Sequence, residues 1–532
     1  MHNQNEQHRN QLLRRADWRY LLGDPWPRKS TCLSNGLLAQ AVQAVSRVYI
    51  PAQEASEGEC DLVAVTNPDT AALGKAWQAL RPGGSFYGEW SFPLLGGSGR
   101  IRRRLEAAGF TNVACYWPWP VPDISPSLFW LPLDAPGAVR YFLSSRPRPP
   151  RLLARLGNGV LKALWKLGHS AGVLAPVCVT ARKEYPEGSK VIAGSLVAQI
   201  TDISGNWKNE DLADCYDTIL WAGGKRVINK VVLYLFPTGK ELPQLVVKLP
   251  RTPETAPALV HEAQILQALH TSKIEAAQHA PRLLFLQGVD GETALGETAI
   301  FGQPLYTMLG QGKIKNLAIQ VTDWLISLVE AGPPLPRTVW WNRIAGPALR
   351  DFEQNFAPVL DDSVLPRCHT LLNRLGDLPP AFEHRDCSPW NLLVTLSGEL
   401  AVLDWESAEQ DGLPVLDLVY FLAYLAFFMD GAMETGRYIE SYHRSSTTTT
   451  VTGQLQAVCQ QRYIESIGLD PMALHPLRLL AWLIHTRSEL RHMSEDSGGG
   501  VLQVADLRRS LFYNLVLEEL AHEQTPAQAS NQ

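Results

Sequence analysis

Phe382-Glu383-His384-Arg385-Asp386-Cys387-Ser388-Pro389-Trp390-Asn391 and, a little further on, Leu403-Asp404-Trp405-Glu406 decide the reading of this chain. The first stretch spells H-x-D with an asparagine five residues after the aspartate. The second closes an apolar run with another aspartate. Three oxygen-bearing side chains of these types near one point are what phosphoryl transfer demands. One aspartate orients the attacking hydroxyl and accepts its proton, while an asparagine amide and a second carboxylate hold Mg²⁺ on the nucleotide phosphates. Leu392-Leu393-Val394, a turn over Thr395–Glu399 and Leu400-Ala401-Val402-Leu403 read as strand, turn and strand. Such a hairpin returns Asp404 beside Asn391.

These residues resemble the aminoglycoside phosphotransferase and choline kinase-like family, small-molecule relatives of the protein kinases. The family's pattern is H-x-D-x-x-x-x-N, then D-W-E or similar, then a short spacer and a further aspartate. That aspartate is Asp417 in Gly412-Leu413-Pro414-Val415-Leu416-Asp417-Leu418. The resemblance implies Asp386 as catalytic base, Asn391 and Asp404 as Mg²⁺ ligands, Asp417 as a structural acid and His384 as the residue that shapes the loop. The family often has glycine where Arg385 stands, so this arginine has to pack or pair locally. A protein kinase instead carries D-F-G, an activation segment and A-P-E, which shape a groove for a polypeptide. Here a dozen residues separate Asp404 from Asp417, no A-P-E follows, and LVYFLAYLAFFM at 418–429 reads at once as a buried helix. The expected acceptor is therefore a small hydroxylated molecule: an aminoglycoside, a sugar, an amino alcohol or a glycan intermediate. Glu406 and Asp411 are acids that favour a cationic one.

A kinase also needs a phosphate-covering loop, a lysine on a strand and a glutamate on a helix. Residues 216–270 offer these in order. Tyr216 to Trp221 reads as a strand, Ala222-Gly223-Gly224-Lys225-Arg226 as a turn, and Asn229 to Phe236 as the returning strand. Gly223 and Gly224 let backbone approach phosphates without side-chain clash. In Gln244-Leu245-Val246-Val247-Lys248-Leu249-Pro250, Lys248 follows an apolar pair, as in the V-A-I-K strand of kinases. His261 to Leu269 has helical apolar spacing with Glu262 near its start, suited to an ion pair that positions Lys248 on the phosphates. Leu295-Gly296-Glu297-Thr298-Ala299-Ile300-Phe301-Gly302-Gln303-Pro304-Leu305 resembles the family's hinge, with adenine bonding to backbone around Glu297 to Ala299. The resemblance covers roughly residues 190–515 and implies ATP and Mg²⁺ as cofactors. It places ATP between the lobes, with Gly223, Gly224, Lys248, Glu262, Asn391 and Asp404 around it.

The first 150 residues are a different object. Asp61 to Val65 reads as a strand, Ala71 to Leu80 as a helix, Leu80-Arg81-Pro82-Gly83-Gly84 as a turn into a second strand, Arg100 to Gly109 as a helix and Phe110 to Val113 as a strand start. Alternation of this kind indicates a doubly wound α/β sheet. The L-R-P-G-G string, with A-G-F further on, resembles class I S-adenosylmethionine-dependent methyltransferases over roughly residues 15–145. Their glycine-rich turn after the first strand is missing. The corresponding region, read as Tyr20 to Lys29, has one glycine and two prolines, so the domain is expected to be degenerate. Gly96-Gly97-Ser98-Gly99 falls too late for that turn and reads as a connection. After a Pro/Arg stretch, Leu152 to Leu167 reads as a basic amphipathic helix that packs on a neighbouring domain or lies on an anionic membrane surface.

The chain has 532 residues, a net charge of −5, 19% charged and 45% hydrophobic residues. That balance excludes a general nucleic-acid binder and provides for a large core. Eight scattered cysteines contain no C-x-x-C, so zinc and thioredoxin-type readings lack support, and reduced cytoplasmic thiols are expected. No apolar run reaches membrane-spanning length. SSTTTTVT at 445–452 reads as a loop, and 476–493 and 505–521 as helices.

The expected architecture is α/β plus α+β. A methyltransferase-like, Rossmann-like domain fills 1–145 and a linker 146–189. A two-lobed protein-kinase-like fold follows, with its N-lobe at 190–303 and a mostly helical C-lobe at 304–525. The expected activity is ATP-dependent phosphotransfer to a hydroxyl of a small molecule. The alternatives are an inactive pseudokinase-like nucleotide-binding scaffold and an S-adenosylmethionine-dependent methyltransferase with an accessory kinase fold.

Overall fold

The structure is a computed structural model that describes residues 2–91, 97–120, 122, 125–145, 159–160, 162–167, 176–184, 212–213, 215–224, 226, 228–272, 274–289, 292–309, 312–330, 332–496 and 502–522. It divides into two compact units. The first comprises residues 1–263 and 283–299, the second residues 264–282 and 300–532.

Among the described residues the first unit is built on one sheet of twelve strands. These are β1 (Lys29–Cys32), β2 (Val48–Tyr49), β3 (Cys60–Thr66), β4 (Leu80–Trp90), β5 (Phe110–Trp119), β6 (Phe129–Pro132), β7 (Val177–Lys183), β8 (Tyr216–Trp221), β9 (Val231–Pro237), β10 (Leu245–Leu249), β11 (Leu283–Val289) and β12 (Glu292–Thr298). Their order across the sheet is β11-β12-β10-β9-β8-β6-β5-β7-β4-β3-β1-β2. Strands β2, β1, β3 and β4 are parallel. Every later pairing, from β4 with β7 to β12 with β11, is antiparallel.

The parallel part needs crossovers, and helices α1 (His2–Arg15), α2 (Leu37–Val45), α3 (Thr70–Ala79), α4 (Gly97–Ala107) and α5 (Pro136–Ser145) accompany it. Asp69 caps α3 by accepting from Ala72 N at 2.7 Å, which fixes the turn out of β3. Strand β3 reads as an unbroken apolar run because both of its faces are buried. Leu62 and Ala64 enter one core and Val63 and Val65 the other.

The first strand is a correction. It is Lys29–Cys32, and the turn after it is Leu33 to Gly36, not Tyr20 to Lys29. Asp17–Leu21 within that earlier stretch is a buried 3₁₀ turn. Lys29–Cys32 carries Lys, Ser, Thr and Cys, so it has no apolar signature, and parallel partners on both sides supply its stability instead.

A second difference concerns continuity. The strands of the N-terminal segment do not close into a sheet of their own. Phe129 and Trp130 on β6 pair with Trp221 and Leu220 on β8. Each strand's free edge satisfies the other's backbone groups. One apolar layer then contains Trp18, Tyr87 and Trp130 together with Leu220, Leu233 and Val247.

Most of the predicted linker helix lies outside the described residues. Residues 162–167 are helical, and Trp165 is buried with its ring 5.7 Å from that of Trp117. Val160, Leu164 and Leu167 are exposed. Helix α6 (Ala256–Thr271) carries Glu262.

Among the described residues the second unit has three short strand pairings. Strand β13 (Gln303–Pro304) pairs with β15 (Leu392–Val394), which pairs with β16 (Leu400–Val402), while β14 (Ala381–Glu383) pairs with β17 (Glu409–Gly412). The remainder is mostly helical. Helix α7 (Ile314–Ser327), α8 (Gly346–Phe356) and α9 (Val364–Leu372) precede the motif. Helix α10 (Leu416–Met429) is apolar on nearly every side and correspondingly buried. Next come α11 (Tyr438–Ser445), α12 (Val451–Ile467) and α13 (Leu474–Asp496). The expected helix at 505–521 is two, α14 (Val504–Arg509) and α15 (Leu511–His522). Glu489 causes the break: it accepts from Ser510 Oγ and from Leu511 N (2.7 Å), replacing helical partners. No described helix is long and apolar enough to cross a membrane. All eight cysteines are among the described residues and none is in a disulfide; Cys215 is exposed and the other seven are buried.

Candidate active site

In the second unit the hairpin β15–β16 forms as the sequence predicts. Leu403 N donates to Asn391 O at 2.9 Å, which sets Asp404 next to Asn391. Asn391 Nδ2 donates to Asp386 Oδ2 at 2.8 Å and to the Asp386 carbonyl at 3.0 Å. Tyr420 Oη donates to Asp386 Oδ1 at 3.3 Å. Both carboxyl oxygens are thus fixed. Tyr420 lies three residues after Asp417 on α10, so the two share a helix face. The reading of 418–429 as merely a buried helix missed it, because nothing local marks one tyrosine of that run as polar in function. His485, held neutral by burial with its pKa near 3, stacks on Tyr420 at 4.2 Å and fixes the ring.

The loop around Asp386 is strained and anchored. Arg385 has φ 62°, Asp404 φ 69° and Val415 φ 76°, a region that costs non-glycine residues energy unless contacts enforce it. A glycine at this position would meet the requirement without cost. Here the anchoring is explicit. Asp417 accepts from His384 N and from Arg385 N (2.8 Å). Arg385 Nε donates to Glu383 (2.9 Å) and Nη1 to Glu409 (3.3 Å). His384 Nδ1 accepts from Asp386 N at 3.2 Å, so Nε2 carries the proton and donates to Leu403 O at 2.9 Å. Trp405, fully buried, packs edge-on against His384 at 4.7 Å and donates to Val402 O. Asp417 and His384 therefore hold the loop, as expected of them.

Electrostatics at this point are unusual. Burial, then the charges of Asp404 and Glu406, push Asp386 up to about 8. Burial and Glu383 push Asp417 up to about 7. A carboxyl whose native pKa exceeds its unfolded value keeps a proton that the unfolded chain has lost. Between pH 4 and pH 8 the native state binds more protons, so stability falls as pH rises through that window. Asp386→Asn is expected to raise the unfolding free energy at pH 8 by roughly 1–2 kcal/mol, seen as a higher urea midpoint, and to leave it unchanged at pH 3.5. A substitution effect of the same size at both pH values would contradict the raised carboxyl.

The donor set suits a hard cation. Asn391 commits its Nδ2 to Asp386, so Oδ1 is the atom that would face a metal, and Asp404 would add a carboxylate; oxygen ligands of this kind would fit Mg²⁺. Asp411 pairs with Arg343 at 3.0 Å on the surface, so it is not a free acid for an acceptor.

The first unit holds the second cluster. Lys248 on β10 is buried and donates to Glu262 Oε1 at 2.6 Å and to Glu297 Oε2 at 3.0 Å. Lys230 reaches Glu262 Oε2 at 3.2 Å. Two lysines and two glutamates balance in charge, yet burial, opposed by Lys248, still pushes Glu297 up to about 6. The Lys248–Glu262 pair is as predicted. The sequence puts Glu297 among hinge backbone, whereas the structure makes it a second carboxylate on Lys248. The register explains it: Lys248 pairs with Leu295 across β10–β12, one step along the same face from Glu297. Ala299 N donates to Gln244 O at 3.2 Å, which occupies one of the backbone donors assigned to adenine.

Gly223 and Gly224 lie in the β8–β9 turn, and Lys225 lies outside the described residues. Gly224 has φ +78°, and a Cβ there would meet the Asn229 side chain; a Cβ on Gly223 would meet the Trp221 indole. The turn is closed by Asn229 Oδ1, which accepts from Arg226 N at 2.8 Å.

Among curated proteins no relative matches this chain. Among solved structures, a choline/ethanolamine kinase family protein from Mesorhizobium loti is 12% identical, covering 62% of this chain and 96% of that one with a TM-score of 0.36. An ethanolamine kinase from Plasmodium vivax is 12% identical, with 62% and 87% covered and a TM-score of 0.37. An aminoglycoside phosphotransferase from Streptomyces rimosus is 13% identical, with 53% and 97% covered and a TM-score of 0.31. The stretch that contains Lys248, Glu262, Glu297, Asp386, Asn391, Asp404 and Asp417, residues 231–453, matches the profile of APH, the phosphotransferase enzyme family.

Proposed function

We propose that this protein transfers the γ-phosphate of ATP to a hydroxyl group of a small molecule. The observation that carries the reading is the Asp386 carboxyl, held on one oxygen by Asn391 and on the other by Tyr420 in a loop that Asp417 anchors. Asp386 orients the acceptor hydroxyl and takes its proton. Lys248, positioned by Glu262 and Glu297, neutralises phosphate charge, and the Gly223-Gly224 turn covers the phosphates. Mg²⁺, held by Asn391 and Asp404, supplies further neutralisation of the phosphate oxygens when bound. Catalysis comes from positioning and electrostatics.

A small acceptor is supported by residues 405–415. Strand β17 is paired to β14, and Leu413 N donates to Glu383, so this segment is tied down and offers no platform for a peptide. An inactive scaffold is disfavoured because Lys248, Asp386, Asn391 and Asp404 are all retained with their supporting contacts. Methyl transfer is disfavoured too. The parallel strands support a Rossmann-like reading of the N-terminal segment, whose ligand crevice belongs at the switch point between β1 and β3. There Thr66 N donates to Ser34 Oγ at 2.8 Å and Leu33 N to Ala64 O at 2.9 Å, stitching the strand ends together.

Mg²⁺·ATP at a hundredfold excess over its Kd is expected to stabilise the full chain by about 2.7 kcal/mol in a thermal melt. ATP consumption is then expected with at least one member of a hydroxylated metabolite library. Binding without turnover across the library favours the scaffold reading, and absence of binding removes the nucleotide reading altogether.

A further inference from the structure

We propose that the N-terminal segment around Asp17 is a positioning element of the nucleotide-binding strands, acting through Arg251 on the Gly223-Gly224 turn. This rests on the ATP-dependent reading above. Arg251 is fully buried, three residues beyond Lys248. Its Nε donates to Asp17 Oδ1 at 3.2 Å, its Nη1 to Arg226 O at 2.6 Å and its Nη2 to Gly223 O at 3.3 Å. One guanidinium therefore joins the N-terminal 3₁₀ turn to both sides of the glycine turn. The backbone behind it is held from the same source. Arg19 Nη2 donates to Arg251 O at 2.7 Å, and Tyr20 Oη to Pro250 O at 2.6 Å. These bonds fix the chain as it leaves β10, the strand that carries Lys248.

The direction of the glycine turn follows from this clamp. A peptide unit is planar and trans, so its N–H points away from its C=O. Anchoring the Gly223 carbonyl on Arg251 aims the Gly224 N–H to the opposite side. A turn that covers phosphates acts through such N–H groups. Gly224 at φ +78° lacks the side-chain restraint of other residues, so the clamp on the Gly223 carbonyl adds to the closure of the turn by Asn229. Asp17 matters because a buried arginine without its carboxylate loses both its charge partner and its orientation. Asp17, Arg19 and Arg251 are all fully or almost fully buried, so water does not substitute for any of them. On this view the N-terminal part is needed for nucleotide binding whether or not it binds a ligand of its own.

The test uses the full-length chain as wild type, Asp17→Asn and Tyr20→Phe, the last a milder, uncharged change that removes the hydroxyl joining Arg19 to the Pro250 carbonyl. Amide hydrogen exchange over residues 216–237 and calorimetric titration with Mg²⁺·ATP are measured on each. Asp17→Asn is expected to speed exchange in the 222–230 turn and to weaken Mg²⁺·ATP about tenfold, the scale of one charge-assisted hydrogen bond. Exchange in β3 and β4 should stay at the wild-type level, and Tyr20→Phe should shift both readouts less in the same direction. Wild-type affinity in Asp17→Asn, or exchange that rises evenly across the whole first unit, overturns the inference while the ATP reading stands. A wild-type chain that does not bind Mg²⁺·ATP overturns that reading and this inference with it.

Discussion

Asp386→Asn is expected to lower kcat for phosphoryl transfer by about 10²–10⁴-fold, the contribution of a positioned general base, while changing Mg²⁺·ATP affinity less than about twofold. The asparagine side chain has nearly the same shape and still accepts from Asn391 through one oxygen. What it lacks is the capacity to take the acceptor's proton. The partners also exclude a trivial explanation. Asn391 and Tyr420 both donate to the native carboxyl, at 2.8 Å and 3.3 Å, and neither contact needs to collapse in the variant. The variant should be more stable than wild type at pH 8, since it no longer carries a carboxyl whose ionisation is resisted by burial and by Asp404. Lost turnover in a protein that melts no earlier cannot be misfolding. Measured with the acceptor found by the metabolite screen, wild-type kcat in Asp386→Asn would remove Asp386 from the reaction. Equal loss of nucleotide binding and turnover would instead mark it as part of the nucleotide site.

What the sequence made legible follows the range of each interaction. His384, Asp386, Asn391 and Asp404 fall on one loop and one hairpin, so spacing along the chain was enough to bring them together. Lys248 and Glu262 were legible for a similar reason, on adjacent elements with recognisable periods. Glu297, Lys230 and Tyr420 were not, because they act through strand register and helix face across long separations. The same holds for Asp17 and Arg251, whose bond spans |i−j| = 234. The continuous sheet was hidden for a further reason. Pairing of β6 with β8 is made by backbone groups, and two free strand edges have no side-chain pattern that names their partner. Strand β1 was missed because Lys, Ser, Thr and Cys do not announce a central strand when burial is supplied entirely by neighbours.

Lys248→Met should destabilise the protein by about 3 kcal/mol at pH 7.5, the low end of the cost of breaking a buried pair. Methionine fills the space, so packing is preserved and the loss is electrostatic. Glu262 retains Lys230 at 3.2 Å, which limits the damage there. Glu297 loses the lysine it pairs with, and burial then drives its pKa further above the value near 6 that it has beside Lys248. Protonation is its escape. In the variant the native state holds a proton that the unfolded chain, with an ordinary glutamate, releases near pH 4.5, so stability falls as pH rises above that point. The deficit relative to wild type should therefore be small at pH 4.5 and grow through pH 6 to its full size above it. Urea unfolding at pH 4.5 and 7.5 reads this directly. Adding Glu297→Gln should recover part of the loss at pH 7.5 and nothing at pH 4.5, since it removes the charge that has become unpaired. A deficit independent of pH would mean that lost packing, not the carboxylates, sets the cost. Nucleotide affinity separates the structural from the functional role of the lysine. The doubly substituted chain, folded and neutral at this site, should still bind Mg²⁺·ATP at least tenfold more weakly than wild type, because phosphate has lost a charge-assisted partner. Wild-type affinity in that chain would leave Lys248 a buried structural cation and assign the phosphates elsewhere.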